Sequence, residues 1–281
     1  ISIFFNLILC HNKFFLKSFF MNENITYANN INFNPLDKIC AVTGGSSGIG
    51  AALIKELKSR KAKTIINIDI KQGNEKNIDF FQCDVGNDIE VEKTINEIYK
   101  KHSIIDLFCS NAGVAVDDDG LASAKHWDSI WKINVLQHTN IVRHTISKML
   151  ENKSGWFLIT ASAAGLLSQV GSATYSTTKH ATVGFAEWLS ITYGEKNIGV
   201  SLLCPQGVNT PMTEKIKDGG VAGINGMLEA EDVAKISLDQ MAVGKFLITP
   251  HEIVKKYIKI KSEDTDKWIL GMRKLYNKFV V

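Results

Sequence analysis

Short apolar segments alternate with amphipathic segments along the chain, and this alternation limits the possible folds more than any other feature. The predicted strands are Lys38–Thr43, Thr64–Ile70, Ile78–Gln82, Ile105–Ser110, Trp156–Thr160, Val200–Cys204 and Phe246–Thr249. The predicted helices are Ile49–Ser59, Ile89–Lys101, Trp127–Leu150, Ala173–Tyr193 and Ala230–Met241. This pattern predicts an α/β fold, a doubly wound parallel sheet of seven strands in a single domain. Ligands bind such sheets at the carboxyl ends of the strands, so functional motifs are expected directly after strands.

The composition excludes several classes of protein. The chain has 281 residues, of which 45% are hydrophobic and 22% charged, as in a globular protein with a sizeable core. Its 32 basic and 29 acidic residues give a net charge of +3 without a dense basic cluster. This balance argues against nucleic acid as a partner. A mean hydropathy of −0.01 excludes a multi-span membrane protein.

The cysteines predict a reduced compartment, which we take to be the cytoplasm. Their number is odd, and no two of them have the CxxC spacing. The histidines show no HExxH pattern either. The sequence therefore predicts neither a disulfide framework nor a metal site. The five cysteines are Cys10, Cys40, Cys83, Cys109 and Cys204.

Both ends of the chain differ from its alternating centre, which is expected to form one domain over residues 35–250. Residues 1–34 are predicted to be a leader and linker, disordered or not native to the protein, with Met21 as the natural start. If the apolar stretch Ile1–Phe20 is native, it is instead a membrane-associating segment or a transit-type signal. Residues 251–281 are predicted to form two amphipathic helices that cover a pocket or pack against a partner subunit.

A glycine-rich turn, Thr43–Gly50 with the sequence TGGSSGIG, joins the first strand to the first helix. Its glycines allow a tight turn and close approach to a pyrophosphate, and the helix start offers free N–H groups. Asp69 ends the second strand, where a carboxylate binds the ribose hydroxyls of NAD and repels the 2′-phosphate of NADP. Lys71 weakens this preference. The alternative is an ordinary tight turn followed by an acidic residue at a strand end.

Tyr175 and Lys179 lie on one face of a predicted helix because they are four residues apart. A free phenol is a poor base at neutral pH, since its pKa is about 10. A cation about 4 Å away favours the phenolate by up to ~4 kcal/mol at an effective dielectric of about 20. Ser162 follows the fifth strand and is expected to face the same crevice, where its hydroxyl can bond a substrate oxygen. The alternatives are an ordinary surface pair and a serine-rich loop.

The ordered set of motifs resembles the short-chain dehydrogenase/reductase family over about residues 38–249. The resemblance rests on TGGSSGIG (Thr43–Gly50), Asp84-Val85, Asn111-Ala112-Gly113, Asn134, Ser162, Tyr175-Ser-Thr-Thr-Lys179 and Pro205-Gln-Gly-Val-Asn-Thr210. Each motif alone is loose, whereas the set in this order is specific. The resemblance implies a Rossmann-like fold and hydride transfer between a substrate and a nicotinamide cofactor.

The same resemblance implies four catalytic residues. Tyr175 would give or take the proton at the substrate oxygen, and Lys179 would lower the pKa of Tyr175 and hold the nicotinamide ribose. Ser162 would orient and polarise the substrate carbonyl. Asn134 would hold a water that links Lys179 to solvent.

The implied cofactor is NAD, and its expected contacts follow successive strands. They are Gly44, Ser46, Ser47, Gly48, Ile49, Gly50, Asp69, Asp84, Val85, Asn111, Ala112, Gly113, Tyr175, Lys179, Pro205, Gly207, Val208 and Thr210. Asp84 is a candidate contact for the adenine ring, and a turn or cap residue is a nearly equal interpretation of it. Residues 111–113 would pack beside the adenosine, and residues 205–210 would close over the nicotinamide.

Two apolar segments indicate the substrate class. Thr210–Glu229 has several glycines and is expected to form a lid, and Ala163–Val170 is expected to form the opposite wall. We therefore expect NAD-dependent interconversion of a small hydrophobic secondary alcohol and its ketone. By analogy, the long helices Trp127–Leu150 and Ala173–Tyr193 imply a homodimer or homotetramer.

Four alternatives share parts of this pattern. A non-catalytic dinucleotide sensor or scaffold has the same fold but does not need the complete set of Asn134, Ser162, Tyr175 and Lys179. An NADPH-dependent carbonyl reductase differs in the cofactor. A sugar-nucleotide epimerase has the same Tyr and Lys arrangement but usually a longer chain, and a membrane-anchored lipid enzyme requires a native Ile1–Phe20.

Overall fold

The computed structural model describes residues 28–115, 118 and 122–280. The predictions for residues 1–27, including a membrane-associating segment and Met21 as the start, lie outside the described residues. Within the described part, a parallel sheet of seven strands has helices on both faces. This arrangement confirms the doubly wound α/β fold expected from the alternating segments.

The seven strands of the main sheet follow the order β3-β2-β1-β4-β5-β6-β9, and every neighbouring pair is parallel. They are β1 (Ile39–Thr43), β2 (Thr64–Asp69), β3 (Asp79–Gln82), β4 (Leu107–Ser110), β5 (Gly155–Thr160), β6 (Ile198–Leu203) and β9 (Leu247–Ile248). Two short strands, β7 (Val208–Asn209) and β8 (Leu228–Glu229), pair in a separate sheet. The chain reverses its direction of travel across the main sheet between β1 and β4, which is where such folds bind ligands.

Nine α-helices occur within the described residues. They are α1 (Gly48–Ser59), α2 (Asp88–His102), α3 (Ala124–Trp131), α4 (Gln137–Glu151), α5 (Ala164–Leu167), α6 (Ala173–Tyr193), α7 (Ala230–Met241), α8 (Ile253–Glu263) and α9 (Thr265–Phe279). Helices α6 and α7 have the predicted bounds. The four-residue helix α5 lies within the segment that was expected to form a pocket wall.

The core lies on both faces of the sheet because successive side chains of a strand point in opposite directions. In β5, Trp156 packs in the cluster that α1 and α7 cover, whereas Phe157 packs in the cluster covered by α2, α4 and α6. Both side chains are almost completely buried. The central strands are therefore apolar throughout, as the continuous apolar runs indicate.

The predicted single helix Trp127–Leu150 is interrupted. One π-helical turn, Lys132–Leu136, separates α3 from α4 and contains Asn134. Such turns are commonly associated with functional sites. The apolar periodicity continues across the turn, so the sequence pattern does not show the break.

Some of the residues that were predicted to belong to the linker, 28–34, contact the main domain. Asn29 is buried; its side chain donates to the carbonyl of Val200 and accepts from the N–H of Val200, both at 2.9 Å. Phe33 packs on Trp156 with 5.8 Å between ring centroids. Residues 28–34 thus belong to the folded unit. The polar, asparagine-rich composition is misleading because one asparagine serves as a backbone partner for β6.

Strand β6 begins at Ile198 and ends at Leu203, not at the predicted Val200 and Cys204. The small sheet of β7 and β8 joins the two ends of the expected lid. Its strands have only two residues each, too few to produce a periodic pattern. The predicted last strand Phe246–Thr249 is shorter in the structure, where β9 comprises only Leu247 and Ile248.

Helices α8 and α9 make up the described tail. Tyr257 of α8 packs against Trp268 of α9 with 5.9 Å between ring centroids, and Val254 is buried beneath them. Lys261 donates to the carbonyl of Leu166 at 2.7 Å, which ties α8 to α5. Over the described residues, no helix has both the length and the apolarity that crossing a bilayer requires.

Candidate active site

A cleft of about 530 Å³ opens at the carboxyl ends of β1 to β6. Fifteen of the expected cofactor contacts line it: Gly44, Ser47, Gly48, Ile49, Asp69, Asp84, Val85, Asn111, Ala112, Gly113, Tyr175, Lys179, Pro205, Val208 and Thr210. The remaining three, Ser46, Gly50 and Gly207, are not part of its lining. Segments that are far apart in the sequence therefore meet at one edge of the sheet.

The glycine turn brings the start of α1 close to the end of β1. Gly44 has φ +65°, and a Cβ at that position would lie 2.9 Å from Cα of Ala112. A Cβ on Gly50 would collide with the carbonyl oxygen of Gly44. Among the described residues, the side chain of the N-cap Ser47 makes no capping bond. The first-turn N–H groups of α1 are thus available to an anion such as a pyrophosphate.

Asp69 is held at the cleft wall by the glycine turn itself. One carboxylate oxygen accepts from the N–H of Ser46 at 3.0 Å, and the other accepts from the N–H of Lys71 at 3.3 Å. A carboxylate has about four acceptor sites, so two such bonds leave capacity for ribose hydroxyls. Lys71 contacts Asp69 through its backbone in this arrangement.

Thr43 joins the ends of β1 and β4. Its hydroxyl accepts from the N–H groups of Asn111 at 2.9 Å and Ala112 at 3.1 Å. The side chain of Asn111 donates to the carbonyl of Thr43 at 3.1 Å and accepts from Thr160 at 3.1 Å. Residues 111–113 therefore brace the central strands and also line the cleft.

Asp84 is a turn residue that also lies in the cleft lining, and its contact with the adenine ring remains a prediction. It lines the cleft after β3, and its carboxylate accepts from the N–H of Gly86 at 2.9 Å. Its own N–H donates to Glu90 at 2.9 Å. The residue is thus a turn former whose exposed side chain borders the cleft.

Tyr175 lies in the first turn of α6, with its phenol in a buried environment next to Ser162. Burial raises the pKa of Tyr175, and a hydrogen bond with the Ser162 side chain opposes this shift. The Ser162 hydroxyl also accepts from the N–H of Ala164 at 3.1 Å, which holds it at the end of β5. The structure therefore places Tyr175 and Ser162 side by side at the cleft.

Lys179 lies one helical turn after Tyr175 and is only 3% exposed. Its ammonium donates to the carbonyl of Thr160 at 3.2 Å and lies 5.7 Å from the centroid of the Tyr175 ring. Burial lowers the pKa of Lys179 to about 8. We expected Lys179 to lower the pKa of Tyr175, but in this geometry burial dominates the titration of both groups.

Asn134 is completely buried and is not part of the cleft lining. Its amide accepts from the N–H of Val114 and donates to the carbonyl of Val114, both at 2.9 Å. The amide also donates to Thr178, and the backbone carbonyl of Asn134 accepts from Thr182 at 2.7 Å. Asn134 therefore ties the loop after β4 to α6, and the water that the resemblance implied for it remains a prediction.

The helix that carries Tyr175 has Ser172 as its N-cap, and sequence reasoning missed a second group, a carboxylate from outside the helix, that binds its first turn. The carboxylate of Asp118 accepts from the N–H groups of Ala173 at 3.1 Å and Thr174 at 3.2 Å, and from the Ser172 hydroxyl at 3.1 Å. Asp118 lies more than fifty residues earlier in the chain, so no local pattern connects it to α6. Sequence reasoning did not single out the Thr160 carbonyl either, although it belongs to a predicted strand.

The other end of the cleft is mostly apolar. Met212 and Ile216 of the lid line it together with Ala163 and Ala164 of the opposite wall. The lid folds back on the main domain because the N–H of Leu228 donates to the carbonyl of Gly207 at 3.0 Å. The predicted lid and wall thus face each other across one cavity.

Comparisons with known proteins agree with this geometry. The family described as short chain dehydrogenase matches residues 38–220. The short chain aldehyde dehydrogenase 1 of Euphorbia lathyris is 28% identical over 223 residues, which are 74% of this chain and 77% of that protein. A 3-oxoacyl-(acyl-carrier-protein) reductase FabG of Buchnera aphidicola is 27% identical over 189 residues, 64% of this chain and 77% of that protein.

Solved structures share the fold. A short chain dehydrogenase/reductase from Burkholderia phymatum, solved in complex with NAD, superposes with a TM-score of 0.75 at 24% identity. The superposition covers 83% of this chain and 96% of that one. At this level of identity the likeness concerns the architecture.

Proposed function

Because the chain belongs to the short-chain dehydrogenase family of NAD(P)-dependent oxidoreductases, we propose that it interconverts a hydrophobic secondary alcohol and its ketone with NAD. One observation carries this proposal. Ser162, Tyr175 and Lys179 meet at the same strand-end cleft whose other wall is the glycine turn and Asp69. A non-catalytic sensor would need only that second wall.

The glycine turn and the groups around it fit a dinucleotide. Gly44 and Gly50 leave no room for a Cβ, and the first turn of α1 offers N–H groups to phosphate. Asp69 would accept from ribose hydroxyls and repel a 2′-phosphate, which supports NAD rather than NADP. A bound nicotinamide would supply or accept the hydride at the substrate carbon.

Tyr175 would transfer the proton at the substrate oxygen. In the oxidative direction its phenolate takes the hydroxyl proton, and in the reductive direction its phenol returns a proton to the oxygen. Ser162 would bond the same oxygen and polarise it. Lys179, held by the Thr160 carbonyl, would stabilise the phenolate by its charge.

The substrate class follows from the lining of the far end of the cleft. Met212, Ile216, Ala163 and Ala164 favour burial of apolar groups. In the described lining, the charged side chains are those of Asp69, Asp84 and Lys179, all among the expected cofactor contacts. A small, neutral, hydrophobic alcohol or ketone suits these surroundings.

We further place this reaction in the cytoplasm, in a homodimer or homotetramer. Cys40, Cys83, Cys109 and Cys204 are buried free thiols, which is consistent with a reducing compartment. Helix α6 exposes the apolar side chains of Trp188 and Ile191 to solvent, and an exposed apolar face of this kind supports an oligomer.

Replacing Tyr175 by Phe tests the proposed activity. The change removes only the hydroxyl, so we expect turnover of secondary alcohols with NAD to fall by about 100-fold or more, while NADH still binds. Tyr193→Phe, at the other end of the same helix, is the matched control and should retain turnover. Initial rates by NADH absorbance and binding by NADH fluorescence provide the readouts. Wild-type turnover in Tyr175→Phe would exclude the assigned role.

A further inference from the structure

Gln206 lies beside the proposed reaction centre in the loop that follows β6. The carbonyl of its neighbour Pro205 accepts from the N–H of Ala163 at 2.8 Å and from the Ser162 hydroxyl at 3.5 Å. Gln206 itself lines the cleft. Gln206 is therefore the residue next to a contact of Ser162, and it borders the same cleft.

A chain of hydrogen bonds sets the orientation of the Gln206 amide. Tyr257 of α8 donates its hydroxyl to the carbonyl oxygen of the Asn225 side chain at 3.2 Å. The Asn225 amide nitrogen must then point the other way, and it donates to Oε1 of Gln206 at 3.3 Å. Through Asn225, the tail helix α8 thus determines that the oxygen of the Gln206 amide, and not its nitrogen, forms this hydrogen bond.

The backbone of Gln206 is fixed as well. Its N–H donates to Nδ1 of His251 at 3.2 Å, and His251 is 7% exposed. Burial lowers the pKa of His251, which favours the neutral ring needed to accept this bond. The tail therefore holds Gln206 at two points.

These contacts leave the NH₂ end of Gln206 as a donor. Within the described part of the chain, Nε2 of Gln206 has no hydrogen-bond partner, although Oε1 has one. Met212, Ile216 and Ala222 of the lid bring apolar surface to the same end of the cleft. A neutral amide donor in such surroundings suits an uncharged oxygen acceptor.

We propose that Nε2 of Gln206 donates a hydrogen bond to a second oxygen of the substrate. The preferred substrates are then neutral ketones or secondary alcohols with a carbonyl or ether oxygen a few bonds from the reacting carbon, such as β-keto esters and β-hydroxy esters. The proposal rests on the proposed function and narrows its substrate class.

Two ketones of equal size test this specificity. Methyl acetoacetate has the second oxygens, and 2-heptanone has the same number of non-hydrogen atoms without them. Each is reduced with NADH by wild type, Gln206→Met and Gln206→Glu, and the ratio of the two kcat/KM values is compared. Glu keeps the acceptor for Asn225 but has no NH₂ group. Comparing this ratio between variants cancels the intrinsic difference in reactivity between the two ketones, since that difference is the same in every variant.

We expect both Gln206 variants to lower the ratio by about threefold to tenfold, the usual worth of one neutral hydrogen bond. Gln240→Met is the matched control, because Gln240 lies on α7 and is not among the residues that line the cleft. The ratio in this variant should stay within about twofold of the wild-type ratio.

Three outcomes overturn the proposal. An unchanged ratio, or an equal loss for both ketones, shows that Gln206 only supports the loop. An equal fall of the ratio in Gln240→Met shows that the effect does not arise from a contact in the cleft. If wild type reduces neither ketone with NADH or NADPH, the proposed function fails as well, whereas turnover of both with an unchanged ratio overturns only this inference.

Discussion

At the scale of single residues, burial sets the charge states of the site. The ammonium of Lys179 is buried and the phenol of Tyr175 is partly buried at the cleft, and desolvation disfavours the charged form of each. The pKa of Tyr175 is raised, and the pKa of Lys179 is lowered to about 8. The site therefore maintains chemically useful groups at a cost in folding stability.

Replacing Lys179 by Met makes this cost measurable. The folded-state pKa of about 8 lies below the ordinary lysine value of 10.5, so burying the ammonium destabilises the fold at neutral pH. We expect the variant to gain about 1–3 kcal/mol of unfolding free energy at pH 7, after loss of the Thr160 bond, and to lose turnover.

The gain should shrink as the pH rises from 8 towards 10.5, because the unfolded lysine also loses its proton there. Urea unfolding across this pH range provides the measurement. Lys100→Met, at an exposed position on α2, is the control and should show no such dependence. A variant less stable than wild type at every pH would contradict the role of burial.

We propose that the charge of Asp69 sets the preference for NAD over NADP, and Asp69→Asn separates this charge from the geometry of the side chain. An asparagine oxygen can still accept from the Ser46 N–H, so the glycine turn is retained. We expect the kcat/KM preference for NADH over NADPH to fall about tenfold, equivalent to ~1.4 kcal/mol of relieved repulsion. Asp84→Asn, at the other carboxylate of this cleft end, should leave the preference unchanged. An unaltered preference in Asp69→Asn would remove the basis for choosing NAD.

At the scale of elements, the start of α6 is organised from outside the helix. Asp118 caps its first turn, and the carboxylate complements the positive end of the helix dipole. The π-helical turn before α4 places Asn134 where it forms hydrogen bonds with two segments. These are the loop at Val114 and helix α6 at Thr178. Tyr175 therefore depends on two distant segments for its position.

Asp118→Ala should weaken both the fold and the reaction. Loss of the cap is expected to cost about 1–2 kcal/mol in urea unfolding, and kcat/KM should fall because Tyr175 lies in the first turn of α6. Asp264→Ala is matched to it, since Asp264 caps α9 by accepting from Lys267 at 2.9 Å. The control should leave kcat/KM unchanged. Equal kcat/KM in the two variants would show that the cap does not position Tyr175.

At the scale of the whole molecule, α6 turns an apolar face outward. Ile191 is 82% exposed and Trp188 50% exposed, and a Cβ on Gly184 would meet open space. The ring of Trp188 stacks with Phe185 and meets Tyr193 edge-on, with 6.0 Å between ring centroids in each pair. Contiguous exposed apolar surface of this kind is typical of an interface.

Ile191→Glu should therefore dissociate the proposed oligomer. A charge at the centre of an apolar contact is costly to bury, so we expect a shift to monomer in light scattering at micromolar concentration. Ile89→Glu on α2 is the control, because Ile89 is also an exposed isoleucine, at 76%, but lies on another helix. Wild type that is already monomeric would refute the proposed assembly.

The sequence alone predicted the alternating strands and helices and the doubly wound sheet, because the hydrophobic period of each segment is a local property. It also placed the glycine turn, Asp69, Ser162 and Tyr175 directly after strands or at a helix start, and the parallel sheet brings all of them to one cleft. Their chemical roles remain predictions.

Only the tertiary structure decided which distant groups complete the site. The cap from Asp118, the bonds of Asn134 across the π-helical turn and the path from Tyr257 through Asn225 to Gln206 join residues far apart in the chain. Burial, which controls the pKa of Tyr175 and Lys179, likewise exists only once the whole molecule has packed. Local patterns carry no record of these contacts, because each depends on where the sheet and the tail bring separate segments together.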